Sequence, residues 1–306
     1  MKAAAPIPRR HFIQGLGGLA AAACLALPRA VGADARVARA AGLKLKLSLN
    51  AYSFDGSLRA GAMTLDDVIR FCAEQGVDAF DPTGYYMPGY PKAPEDDYVY
   101  HLKRTAFING VSISGTGVRN NFAAPDAARR EADVRMVKEW IEVASKLGAP
   151  ALRIFSGGEV PAGHTFDEVM AWIVAAVKEC ADHGGRHGVV VAVQPHNDYL
   201  KTADQVIQLV DGVNSEWFGV ILDIGSLRQG DPYAEIRKLM PYAVSWQIKE
   251  KVGSGDQVMP VDLKRLKVLF DQFGYRGFLP VEALDAGNSS ERVARFLAQV
   301  RRAFAL

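Results

Sequence analysis

Four polar residues stand where apolar runs of the sequence end: Gln194 in VVVAVQPHND, Asp223 in GVILDIGS, Gln247 in AVSWQIKEK and Glu282 in GFLPVEAL. Each closes a β-rich segment and offers an oxygen, and four such oxygens converging on one point suit a hard or borderline divalent cation, Mg²⁺, Mn²⁺, Co²⁺ or Zn²⁺. Taken singly, each is an ordinary capping or loop hydrogen-bonding group. Taken together, on consecutive segments, they predict a metal centre. A cation there holds a carbonyl and its neighbouring hydroxyl so that the adjacent C–H becomes acidic, with Glu282 as the base. His196, two residues beyond Gln194, titrates near neutrality and is a candidate proton carrier; its plainer reading is a loop histidine bonded to backbone. Lys249 follows Gln247 by two, which by the strand period sends it to the same side, where it could stabilise an oxyanion. A surface ion pair with Glu250 or Asp256 is the alternative.

These residues need a frame that brings strand ends together. From Leu43 onward, β-rich runs alternate with longer helical patterns at a period of about thirty residues, the pattern of a parallel sheet wrapped by helices. The runs are Leu43–Leu49, Val77–Asp81, Val111–Gly115, Ala151–Phe155, Val189–Gln194, Phe218–Asp223, Ala243–Ile248 and Gly277–Glu282. Several are continuously apolar, as strands covered by helices outside and packed side chains inside must be. Glycines at Gly76, Gly110, Gly148 and Gly274 mark helix ends, and Thr64 and Thr202 open helices with a capping hydroxyl. Eight units predict an α/β fold, a (β/α)8 TIM barrel, whose site lies at the C-terminal ends of the strands. An open doubly wound sheet is the rival, but no Gly-rich phosphate loop follows the first run.

The 306 residues suit one such domain after removal of a leader. Pro8-Arg9-Arg10-His11-Phe12-Ile13-Gln14, an uncharged run from Gly15 to Leu27, and exit sites after Ala33 or Ala35 read as a twin-arginine-type export signal. The organisation expected is therefore a leader over 1–35 and a barrel domain over 36–306, delivered by the twin-arginine export machinery to the periplasm or beyond. An apolar run this short does not span a bilayer. Ala21-Ala22-Ala23-Cys24 is a weak lipoprotein-like site. The leader carries four basic side chains and one acidic, so the formal charge of +2 becomes about −1 without it. No basic face remains for nucleic acid. Cys72 and Cys180 fall on core-facing positions of expected helices and read as small core hydrophobes.

Over residues 43–305 the chain resembles the xylose-isomerase-like (sugar phosphate isomerase/epimerase) family, through GVDAFD at the end of the second run, LDIGS, WQIKEK and PVEAL. The resemblance implies a metal held by Gln194, Asp223, Gln247 and Glu282, and a sugar or keto-sugar substrate. It also marks a departure, because Gln194 stands where the family usually has Glu. A neutral amide cannot exchange protons near pH 7, so a two-base epimerisation loses one of its bases. Asn50, Tyr52, Asp81, Arg153 and Tyr86 in the loop YYMPGYP are assigned to substrate binding, together with His196 and Lys249, since sugar C–H faces stack on aromatic rings. The leading expectation is an exported, metal-dependent isomerase or epimerase. A lyase, hydratase or hydrolase of a 3-keto-glycoside, a barrel glycoside hydrolase using Asp223 and Glu282, and a non-catalytic periplasmic sugar-binding protein are the alternatives. Substrate, metal identity and oligomeric state are left open.

Overall fold

The structure, a computed structural model, describes residues 37–306 apart from 38, 41, 43, 197, 228, 255–256 and 285–288. The leader expected over 1–35 and Cys24 lie outside the described residues.

Eight parallel strand positions form a closed barrel. Strand one, Lys44–Asn50, pairs with strand eight, Arg276–Val281, and with strand two, Ala79–Asp81. Strand four, Ala151–Ile154, strand five, Val190–Val193, strand six, Phe218–Asp223, and strand seven, Ala243–Gln247, follow in order. The third run is not one strand. Ser112–Ile113 pairs back to strand two and Thr116–Gly117 forward to strand four. Between them the chain changes partner at Ser114 and Gly115, where the Ser114 hydroxyl instead meets that of Ser48 at 2.7 Å. The ring closes through Ile248, whose N–H donates to Pro280 O and whose carbonyl accepts from the Glu282 N–H, both at 2.8 Å.

The helices form where the sequence caps them. Thr64, Thr165 and Thr202 each take part in a reciprocal capping box, with Asp67, Glu168 and Gln205 three residues on. Gly148, at φ 84°, ends the helix Ala127–Leu147 in the left-handed region that a side chain resists. One apolar core fills the barrel and its helix layer, and Cys72 and Cys180 are buried in it as unpaired thiols. Two features were not legible in the sequence: the helix Asp96–Ile108 carries its apolar residues without a side-chain cap, and an antiparallel hairpin, Lys251–Ser254 with Gln257–Pro260, rises after strand seven. Among the described residues no helix is long and apolar enough to cross a membrane.

One packing contact tests this layer. Gly184 lies inside the helix Phe166–His187, and a Cβ there would sit 2.4 Å from the carbonyl oxygen of Val189. Helix propensity alone favours alanine by about 1 kcal/mol, but a backbone carbonyl cannot yield, and overpacking costs about 1–3 kcal/mol. Gly184→Ala is therefore expected to lower the urea midpoint with an unchanged m-value; a higher midpoint would show that propensity wins.

Candidate active site at the barrel mouth

Strand register sets the first pair. Asp223 ends strand six directly beside Gln247, the last residue of strand seven, while their neighbours Leu222 and Trp246 form the adjacent pair. Alternation along the strand turns Trp246 outward, onto Phe270 and Tyr275 of the helix layer, and Gln247 inward. Gln194 follows strand five and Glu282 follows strand eight, both buried. All four expected residues thus meet at the C-terminal end of the barrel.

Their bonding is specific. Asp223 Oδ2 accepts from Gln194 Nε2 at 2.7 Å, Ser226 Oγ at 2.7 Å and Lys249 Nζ at 2.8 Å, while Oδ1 accepts from the Gly225 N–H at 2.9 Å. Lys249 Nζ also lies 3.2 Å from Glu282 Oε1. Burial works against ionising Asp223, but the Lys249 ammonium and the hydrogen bonds from Lys249, Ser226 and Gln194 outweigh it and hold its pKa below the ordinary value. Glu282 moves the other way: burial, reinforced by the nearby Asp223 charge, raises its pKa despite Lys249. Lys249 is raised although burial opposes its charge, because two carboxylates face it.

Above these groups opens a cavity of about 330 Å³, lined by Gln194, Gln247, Lys249 and Glu282 at its floor. Asn50, Tyr52, Arg153 and His196 line it as expected. Asn50 Oδ1 accepts from the Tyr52 N–H at 2.8 Å, fixing the turn that carries Tyr52. Arg153 is buried, donates to the Tyr85 hydroxyl at 2.8 Å, and lies 4.4 Å over the Phe155 ring. His196 stands at the rim with its ring edge-on to Phe155; desolvation by the walls pushes its pKa below 6.5. Asp81 is buried behind the wall, and its Oδ1 has no partner among the described residues.

Three expectations need correction. Tyr86 does not line the cavity, because its hydroxyl is drawn away to Asp55 Oδ1 at 2.7 Å; Tyr85 lines it instead. Asp81, expected to bind substrate, does not line it either and lies buried beneath other side chains, as does Asp223. The third correction concerns the metal. A carboxylate offers about four acceptor positions; Asp223 Oδ2 is crowded by three donors of the protein, while Oδ1 takes one. Gln194 turns its N–H, not its oxygen, toward the centre, and an ammonium stands between the carboxylates. The buried Gln247 Oε1 is unpartnered among the described residues and has the character of a waiting acceptor. The set Gln194, Asp223, Gln247 and Glu282 thus already carries a cation, Lys249 Nζ, against both of its carboxylates, which does not suit a divalent ion bridging the same two oxygens.

Among the described residues, one other cluster has the composition of a metal site. Glu142, His183 and His187 bring ligand atoms within 4.8 Å of one another on the outer helices Ala127–Leu147 and Phe166–His187. The His183–His187 spacing of four, one helical turn, was the sequence signal for it. Both histidines lie near the C-terminal end of a helix that runs back from the mouth, so the cluster sits at the opposite end of the barrel.

The model of the xylose isomerase-like TIM barrel family matches residues 69–301. The chain belongs to this family. The xylose isomerase-like barrel is shared with solved structures of low sequence identity. A D-psicose 3-epimerase with D-tagatose, from Clostridium cellulolyticum H10, is 17% identical, with 85% of this chain and 99% of that one covered and a TM-score of 0.68. The apo 3-keto-D-glucoside 4-epimerase from E. coli is 13% identical, covering 83% and 100%, with a TM-score of 0.65. The IOLI protein with a binding zinc atom is 16% identical, covering 85% and 100%, with a TM-score of 0.68. No curated protein matches the chain.

Within this xylose isomerase-like barrel, Asp81 gives a stability test. Burial raises its pKa from 3.8 to about 6, with Arg153 only partly opposing. The folded state therefore binds the proton more tightly than the unfolded chain, and ionised Asp81 costs stability as pH rises from about 4 to 6. Asp81→Asn removes that cost. It is expected to exceed wild type by on the order of 1–3 kcal/mol at pH 7, with the gap closing below pH 4, as read by urea unfolding across pH. A variant less stable than wild type at pH 7 would show that the Arg153 partnership dominates instead.

Proposed function

We propose that the protein is an exported sugar isomerase or epimerase acting on a free sugar or keto-sugar. The observation that carries this reading is the pair at the cavity floor: a buried carboxyl with a raised pKa, Glu282, 3.2 Å from an ammonium, Lys249. A base with a raised pKa is matched to taking a proton from carbon, and an ammonium beside it is placed to stabilise the oxygen on which charge develops.

In the proposed reaction, Glu282 takes the proton from the carbon next to a carbonyl, and the C–H pair moves to form the enediolate. Lys249 donates a hydrogen bond to the resulting oxyanion. Return of the proton by Glu282 to the neighbouring carbon, with the hydroxyl proton relocated between the two oxygens, gives isomerisation. Epimerisation requires delivery to the opposite face. Gln194 cannot do this, which leaves His196 as the proton carrier, delivering from its imidazolium form and returning to neutral imidazole. Tyr85, Phe155 and Tyr52 offer ring surface to sugar C–H groups, and Arg153 orients Tyr85.

Gln194 also supports a second reading. Elimination from a 3-keto-glycoside needs one base beside the keto group and an acid at the leaving oxygen, roles that ionised Glu282 and the imidazolium form of His196 fill without a second carboxylate. The leader expected over 1–35 favours either substrate in free, unphosphorylated form.

Deuterium uptake from D₂O into D-fructose and into a 3-keto-glucoside, followed by NMR, tests the base. Glu282→Gln is expected to lose about 10²–10⁴-fold in exchange, the usual contribution of a positioned acid–base group. Because the base must be ionised, wild-type exchange is expected to rise with pH through an apparent pKa above the ordinary 4.5. Unchanged exchange in the variant would remove Glu282 from the reaction.

A further inference from the structure

We propose that the ammonium of Lys249 is the resident cation of the barrel mouth, taking the place a divalent metal would occupy, so that the site works without one. The placement of the lysine carries this. Its Nζ lies 2.8 Å from Asp223 Oδ2 and 3.2 Å from Glu282 Oε1, at the point where the carboxylates of strands six and eight converge. A divalent ion bridging the same two carboxylates would have to share that point with a positive charge.

The surroundings are built for the lysine. Gly225 leaves the corridor for its stem, since a Cβ at that position would lie 2.8 Å from Lys249 Cδ. The side chain is nearly buried, so the ammonium depends chiefly on the two carboxylates for its partners. Gln194 completes the exchange of roles. A carboxylate there would face Asp223 with a like charge, whereas the amide gives Asp223 a hydrogen bond at 2.7 Å. Gln247 is likewise uncharged, and its buried Oε1 is left to accept from a substrate hydroxyl. A charge of two carboxylates against one ammonium is thus set by the chain itself, and Oδ2, the Asp223 oxygen that meets the ammonium, is already taken by Gln194, Ser226 and Lys249.

The placement stands by itself; that the ammonium stabilises the oxyanion rests on the reaction proposed above. The test is chosen to keep the two apart. Full-length protein carrying His183→Asn and His187→Asn, which disables the surface cluster, is dialysed against EDTA and titrated with Mn²⁺ and with Zn²⁺, ion uptake being read by elemental analysis and Mn²⁺ EPR. Neither ion is expected to bind stoichiometrically at micromolar concentration. One equivalent bound at that level and lost on Glu282→Gln overturns the proposal. In the same protein, deuterium exchange into D-fructose is expected to be equal before and after EDTA. Exchange that EDTA abolishes and Mn²⁺ restores also overturns it. Exchange missing both before and after counts against the proposed reaction alone, and the binding result decides the placement.

Discussion

The buried contact of Asp223, Lys249 and Glu282 is the constraint on which the mouth of the barrel depends. Withdrawing two carboxylates and an ammonium from water costs several kcal/mol per ion, and their attraction repays this only when geometry is good and remaining polar positions are met. Asp223 comes nearest to the condition, with three donors on Oδ2 and one on Oδ1. Glu282 falls further short, and its pKa rises while that of Asp223 falls. One carboxylate is thereby committed to anchoring the lysine and the other kept responsive to protons. Two like groups with environments that push their pKa values apart are the usual mark of divided roles.

Barrel geometry makes the contact obligatory. Asp223 and Gln247 are register partners, Lys249 follows Gln247 by one strand period, and the Ile248 bridge that closes the ring hands Glu282 to the same spot. Trp246, packed on Phe270 at 4.2 Å between ring centres, holds strand seven from the outside. The stiffness of the aromatic layer is in this way transmitted to the inward neighbours, and the floor of the cavity inherits the precision of the core.

The strands were legible because each is a short apolar run closed by a polar residue, and the helix boundaries because threonine caps and glycines mark them. The broken third strand was not, since a change of partner at Ser114 and Gly115 leaves no trace in hydrophobic period. The hairpin after strand seven was hidden by its charged, mixed composition. At the site, strand ends located Gln194, Asp223, Gln247 and Glu282 correctly. Direction of bonding was out of reach: which of Tyr85 and Tyr86 faces inward depends on Asp55, and the reach of Lys249 past Glu250 to Asp223 depends on a glycine in another strand's loop. Such choices are made by tertiary contacts that no local pattern encodes.

Gln194 and Lys249 are best understood as one feature. An ammonium buried between Asp223 and Glu282 balances one charge fully and leaves one over. A third carboxylate at position 194, itself buried, would add a second uncompensated charge at a cost that a protein avoids by neutralising the group. The amide instead turns a donor to Asp223 and lowers the demand on the lysine. With Asp223 also held by Gln194, Ser226 and the Gly225 N–H, the ammonium retains its contact with Glu282 and lines the cavity. Loss of a base at 194 and gain of an internal cation at 249 are then two consequences of one charge balance.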